Sequence, residues 1–213
     1  MRISSLKKSG VIQLTAIGKL LVNEMKKIVD TVDILENNYE YWTSRDFSAI
    51  PDHLFKKIDQ LCPCQIAESH LNEMFEFRPE CLEGMRKSKY VFAYATFIHP
   101  SYPSIFWELA QNNIQTSVVL TKNAVIKLKV DFKDNYETFL RSERSSMHSI
   151  GDMKKPGMIV NDNFILLWLF NDKGDFEPRY MISQSQDAID WGIELFKYYQ
   201  TQSEEVIGFM YSS

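Results

Sequence analysis

Tyr90-Val91-Phe92-Ala93-Tyr94-Ala95-Thr96-Phe97-Ile98, followed by His99-Pro100-Ser101-Tyr102-Pro103 and then by Thr116-Ser117-Val118-Val119-Leu120, is the stretch that decides the fold. Its opening run, Tyr90 to Ile98, is rich in β-branched and aromatic side chains and reads as a strand. Ser101 to Asn112 reads as a helix, and Gln115 to Leu120 as a buried strand. A helix between two strands is the crossover that parallel strands require.

Outward from that unit the alternation continues. Asn123 to Leu140 reads as a helix, Ser146 to Ile150 and Met158 to Val160 as strands, and Phe164 to Phe170 as the strongest strand of the chain. Tight turns flank that last strand, Asn161-Asp162-Asn163 before it and Asn171-Asp172-Lys173-Gly174 after it. A closing helix is expected from Ser185 to Ile207, with Ile189, Ile193, Phe196, Tyr199 and Val206 facing inward. On the N-terminal side, Gln65 to Glu68 is a short strand and Pro79 to Ser88 a helix opened by proline. The expected class is α/β, a mainly parallel sheet with an antiparallel edge, filling residues 46–213 as an effector or sensor domain.

Residues 1–45 read differently. Steps of four and three residues connect Leu21, Met25, Ile28, Val32, Leu35, Tyr39 and Trp42, all apolar at the a and d positions of a heptad repeat. One long helix with a second copy as partner is expected, and those residues are the expected dimer interface. Val22 and Val29 widen the stripe, so packing on its own domain is the competing reading. Ahead of this helix, Leu6-Lys7-Lys8-Ser9-Gly10-Val11-Ile12 reads as a helix end, a glycine stop and a short strand. Gln13-Leu14-Thr15 pairs back as a second strand, and Thr15 caps the helix.

Composition limits the function. The 213 residues carry a net charge of −4, which disfavours a surface that tracks nucleic acid throughout, although residues 1–45 are mildly cationic. The sequence lacks both a run long and apolar enough to span a bilayer and a secretory leader, so a cytoplasmic location without membrane attachment is expected. Three cysteines do not make a disulfide framework. Cys62, Cys64, His70 and Cys81 are soft ligands near one another in sequence, but C-x-C is not the spacing of a zinc knuckle, and no metal or other cofactor is expected. The chain contains no G-x-S-x-G, H-E-x-x-H, G-x-x-x-x-G-K-[ST] or G-x-G-x-x-G motif.

Several runs together resemble one family. They are Leu20-Leu21-Val22-Asn23-Glu24-Met25, Tyr41-Trp42, Ile50-Pro51, Met74-Phe75, Phe97-Ile98-His99-Pro100-Ser101-Tyr102-Pro103 and Ala188-Ile189-Asp190-Trp191-Gly192. The chain is similar through them to archaeal, mainly methanogen, winged-helix transcriptional regulators of the methanogenesis-regulatory-protein type. Leu6 to Lys19 is similar to the end of the winged helix itself, where the recognition helix passes through the wing to the dimer helix. The resemblance implies a homodimeric, non-enzymatic regulator whose winged helix binds double-stranded DNA and whose following domain senses a signal. Most of that winged helix is absent from this sequence, so the chain as given is expected not to read DNA unless those helices are restored.

The order of elements also resembles, more distantly, half of a phospholipase D-type domain, whose signature is H-x-K-x4-D. Matching Asp162 to the signature aspartate puts Lys155 at the histidine position and Gly157 at the lysine position. The nucleophile is then missing and a catalytically dead binding module is expected. In open α/β sheets ligands collect beyond the carboxyl ends of the strands. His99, Ser101 and Tyr102 after one strand, and Thr121 and Asn123 after the next, are therefore candidate ligand residues for a small anion, with His99 or Lys122 adding charge and Asp162 joining them through the signature match. Two alternatives remain at this stage, a residual phosphodiesterase or nuclease and a DNA-binding-deficient partner of a full-length regulator.

Overall fold

The computed structural model describes residues 4–6, 12–68, 77–96, 98–151 and 157–207. His70, Met74-Phe75 and Lys155 lie outside them. Strands β1 (Ser4–Leu6) and β2 (Ile12–Leu14) form an antiparallel hairpin, so Leu6 belongs to a strand and not to the helix end expected there. Helix α1 (Ala16–Asn37) follows, with Thr15 Oγ1 accepting from Gly18 N at 3.0 Å as its expected cap.

The heptad helix does not reach Trp42. It stops at Asn37-Asn38, residues whose side chains compete for backbone hydrogen bonds, and the chain restarts as α2 (Tyr39–Thr43). Asn37 Nδ2 already donates to Asp33 O at 3.0 Å. Beyond the break the chain turns into the body: Tyr41 is fully buried, Trp42 is 2% exposed, and Trp42 leaves the expected interface for the core.

The body contains α3 (Asp52–Phe55), a 3-10 turn (Ile58–Leu61), β3 (Gln65–Glu68), α4 (Pro79–Arg86), β4 (Tyr90–Ala95), α5 (Tyr102–Gln111), β5 (Gln115–Thr121), α6 (Lys122–Asp131) and α7 (Lys133–Arg141). It continues with β6 (Ser145–Ile150), β7 (Gly157–Asn161), β8 (Ile165–Trp168), β9 (Arg179–Ser183), α8 (Gln186–Thr201) and β10 (Glu204–Glu205). Eight strands form one sheet in the order β10-β6-β5-β4-β7-β8-β9-β3. The α/β class is as expected, but the antiparallel part is more than an edge. Only β4 with β5 and β5 with β6 run parallel, because β7, β8 and β9 are joined without helical crossovers and must reverse at each turn.

Three local boundaries differ from expectation. The helix expected over residues 123–140 bends at Phe132 (φ −134°, ψ 45°), whose ring packs against the core. The closing helix ends at Thr201; Glu204 and Glu205 then pair with Ser149 and His148, and Val206 N donates to Met147 O at 2.8 Å. Strand β9, which pairs with both β8 and β3, has no counterpart in the sequence reading.

Helices cover both faces of the sheet. One core layer joins Tyr94, Val160, Ile165 and Met181 to Trp191, Phe196 and Tyr199 of α8 and to Tyr41, Trp42 and Leu54. The other joins Val91, Ala93, Val118 and Leu166 to side chains of α4, α5, α6 and α7.

Candidate functional site

The carboxyl ends of β4 and β5 lead into α5 and α6, and five of the six expected ligand residues, all but Asp162, lie on those two connections. Thr121 closes β5 and caps α6: its hydroxyl accepts from Ala124 N at 3.3 Å and donates to Thr96 O at 3.1 Å. The two strand ends are thereby tied together. Ser101 stands at the N-cap position of α5, but its side chain does not cap the helix. Its hydroxyl instead pairs with His99 Nδ1 at 2.7 Å, and its own amide donates to the same nitrogen at 3.3 Å. Tyr102 stacks on Phe77 with ring centroids 4.8 Å apart and lies 5.5 Å from the His99 ring. Burial pushes the Tyr102 phenol up from its ordinary range, so it stays protonated as a donor. Asn123 and Lys122 lie exposed on the first turn of α6.

Asp162 is elsewhere. Val91 pairs with Asn161, so the turn after β7 lies at the amino end of β4, a strand length from the rim. There the Asp162 carboxylate accepts from Lys89 N at 3.2 Å and 3.4 Å. Asn161 Oδ1 accepts from Asn163 N and Phe164 N at 2.7 Å and 3.0 Å, and Asn163 Nδ2 donates to Gly84 O at 3.0 Å. This turn fastens α4 and β4 together and does not share a site with His99 and Thr121.

Beneath the rim lies a pocket that the sequence reading missed. Its empty space, open mouth included, is about 820 Å³, enclosed between the sheet and α5, α6 and α7. Ala93, Ala95 and Gly157 form small-residue floor positions, while Tyr102, Phe106 and Trp168 supply aromatic walls. Among the described residues that line it there is no charged side chain. The small anion expected at this rim would therefore enter a cavity that offers it no countercharge. The signal for the pocket is present in β4: Tyr90, Phe92 and Tyr94 alternate with Val91, Ala93 and Ala95, so one face of the strand is bulky and the other is not.

Trp168 and Phe176 line the pocket, and the chain between and beside them holds the turn that follows α2. Arg45, 6% exposed, donates from Nε to Tyr41 O at 3.1 Å and from Nη1 to Leu169 O at 3.5 Å, and its Nη2 pairs with the Glu177 carboxylate. Burial alone would raise the Glu177 pKa, but the hydrogen bonds from Arg45 and Asn171 and the charges of Arg45 and Arg179 outweigh it and hold the carboxyl below its usual value. Asp46 N donates to Phe170 O and Asp172 N to Ser44 O, both at 2.9 Å. Pocket wall and the anchor of that turn are thus two sides of one segment.

Along α1 itself, residues 22–29 are exposed on every side. Met25, Ile28, Val32 and Leu35 are 41–66% exposed, and Tyr39 beyond the break is 64% exposed. Leu21 is half-buried. The helix meets the body from Asp30, whose carbonyl accepts from Cys62 Sγ at 3.3 Å, and Ile34 is 3% exposed. Cys62 and Cys64 pack on one core layer and Cys81 in the other, on opposite faces of the sheet, so the three thiols do not share a metal. Among the described residues no helix is long and apolar enough to cross a membrane.

Comparison with known proteins agrees with this architecture. TrmBL2, described as an archaeal chromatin protein with a novel mode of DNA binding, overlays with a TM-score of 0.53 at 12% identity, covering 96% of this chain and 77% of that one. That overlay shows a common fold. Nuc of Salmonella typhimurium, a phospholipase D family member, gives a TM-score of 0.47 at 13% identity over 68% of this chain and 98% of its own. The methanogenesis regulatory protein FilR1 of Methanothrix harundinacea (strain 6Ac) is 23% identical over 199 residues. That match takes in 91% of this chain, which spans 45% of the length of that relative. The family model for the middle domain of methanogenesis regulatory protein FilR1 matches residues 74–202. The chain belongs to this FilR1 middle-domain family.

Proposed function

We propose that the chain is the dimerisation and signal-sensing part of an archaeal transcriptional regulator, without catalytic activity of its own. The observation that carries this reading is the unpartnered heptad face of α1, with Met25, Ile28, Val32 and Leu35 in solvent. A helix that exposes so regular an apolar seam is stabilised by a second helix bearing the same seam. The β1–β2 hairpin ahead of it has the place of a wing. Double-stranded DNA is then a partner only of the complete winged helix that such regulators carry ahead of this hairpin. FilR1 is named a regulatory protein, which favours a regulator over the phosphodiesterase reading.

The sensing step runs from the pocket to the seam. A molecule against Trp168 and Phe176 shifts the segment that holds Arg45, and Arg45 sets how α2 and the end of α1 sit on the body. Ligand and dimer angle are coupled only if the ligand binds the two arrangements with different affinity, and the coupling is then reciprocal.

Sedimentation velocity on the intact protein tests the first step. Met25→Asp together with Val32→Asp places charge at two successive a positions that the body does not use. The expected result is a dimer for the unaltered chain and a folded monomer for the double variant. A monomer in both cases removes the regulator geometry, and a dimer in both cases places the interface elsewhere.

A further inference from the structure

The pocket under α5, α6 and α7 has a composition that selects its occupant. Its walls are aliphatic and aromatic, and among the described lining residues no Lys, Arg, His, Asp or Glu is present. An ionised group taken into such a space loses its hydration without gaining a partner. A hydrocarbon chain or ring loses nothing and gains close contact with the walls.

The lining is not wholly apolar. Asn135 is half-buried on α7 and contributes to the wall, and its carboxamide makes no hydrogen bond with the described residues. A half-buried amide beside apolar side chains is satisfied by a neutral ligand group that both accepts and donates. Tyr102, part of the same lining, carries a hydroxyl that is a further donor. Charge is concentrated elsewhere: Lys122 lies in solvent, and the Arg45 guanidinium is held by Glu177 and backbone oxygens on the far side of the 168–177 segment.

We propose that this pocket is a binding site for an uncharged, largely hydrocarbon small molecule with one hydrogen-bonding head, such as a medium-chain alcohol, amide or ester, whose head meets Asn135 and whose chain lies over Ala93 and Ala95. The inference deepens the sensor reading by naming the class of signal, and it rests on that reading for its biological meaning but not for binding itself.

Fluorescence titration with the neutral probe N-phenyl-1-naphthylamine tests it on the full chain. Saturable binding of one probe per chain is expected, with displacement by 1-decanol at least about tenfold more effective than by decanoate at about pH 8, where the acid is ionised. Inorganic phosphate should not displace it. Ala95→Leu, which fills the floor, should weaken probe binding by roughly tenfold or more. Asn135→Leu should keep the probe but narrow the advantage of decanol over decane, since only the alcohol has a head to lose.

The exposed seam of α1 also attracts apolar dyes, so the Met25→Asp, Val32→Asp variant is titrated in parallel. Unchanged binding there places the probe in the pocket. Binding lost in that variant and kept in Ala95→Leu overturns the proposal, as does displacement by decanoate or phosphate equal to that by decanol. If Ala95→Leu does not fold, the competition series on the unaltered chain decides alone. Probe binding by a chain that is monomeric leaves the pocket assignment standing and removes the dimeric sensor, whereas a dimer that binds no probe does the reverse.

Discussion

The two faces of the sheet are built from the same strands and behave in opposite ways. On the α8 face, Phe92 stacks on Phe196 with centroids 4.9 Å apart and Tyr94 on Tyr199 at 4.6 Å. Gly192 lets α8 approach so closely that an added Cβ would lie 2.6 Å from Ile165 Cδ1. On the α5–α7 face, the alternate residues of β4 are Val91, Ala93 and Ala95, and the helices bridge a space those side chains do not fill. Period-two alternation thus makes one side a keel and the other a chamber. The solid side carries α2 and the base of α1, and the hollow side carries the candidate ligand.

The sharpest way to break that contrast is to alter one side chain on each face. Trp191 is 1% exposed and its Nε1 donates to Leu54 O at 3.0 Å, tying α8 to α3. Trp191→Ala should cost about 3–5 kcal/mol, since it opens a cavity in the core. Ala95→Leu should change stability by less than about 1 kcal/mol in either direction, because the chamber accepts the added atoms. Urea unfolding of both variants checks this. Equal losses would mean that the α5–α7 face is packed as tightly as the other.

Arg45 lies between Leu169 and Glu177 on one side and Tyr41 on the other. Its guanidinium lies 4.4 Å from the Tyr41 ring centroid. Arg45→Leu should destabilise by about 3 kcal/mol, because it leaves Glu177 without its principal cation and frees the Leu169 carbonyl. Glu177 also carries a pH signature. Its native pKa is held below the usual 4.5, so its stabilisation is fully present above that value and is lost as pH falls below it. The variant should lose this acid-dependent part of the unfolding curve along with the stability. Retention of the acid limb in Arg45→Leu would assign it to other carboxylates.

What the sequence shows is the part decided within a few residues. The βαβ unit around His99 to Tyr102, the Thr15 cap, and the Asn171 to Gly174 turn with Gly174 at φ 79° all follow from local chemistry. What it conceals depends on which strand becomes a neighbour. Arg179 to Ser183 has no periodicity of its own until β8 and β3 flank it. Trp42 fits a heptad as well as it fits a core, and the break at Asn37-Asn38 decides between them. Asp162 takes the aspartate place of a catalytic signature only with Lys155 and Gly157 at its histidine and lysine places, and the antiparallel pairing of β7 with β4 sets it at the opposite end of the sheet from His99 and Thr121. The chamber is written in the alternation of β4, but alternation alone does not say that helices will roof the small side without filling it.

The smallest effect concerns the sheet edge beside β5. His148 on β6 is half-buried, its Nε2 lies 3.0 Å from Gln200 Nε2 of α8, and Glu205 of β10 pairs opposite it. Burial lowers its pKa below the usual 6.5, and the Glu205 charge only partly opposes that. The unfolded chain therefore takes up a proton before the folded one as pH drops below 6.5, so stability is highest above that value and declines beneath it. With the ring partly in solvent, the decline should stay under about 1 kcal/mol. His148→Gln should flatten the urea midpoint between about pH 8 and about pH 5.5, a window that lies above the Glu177 transition and so leaves it untouched. A decline of the same size in the variant would remove His148 as its source.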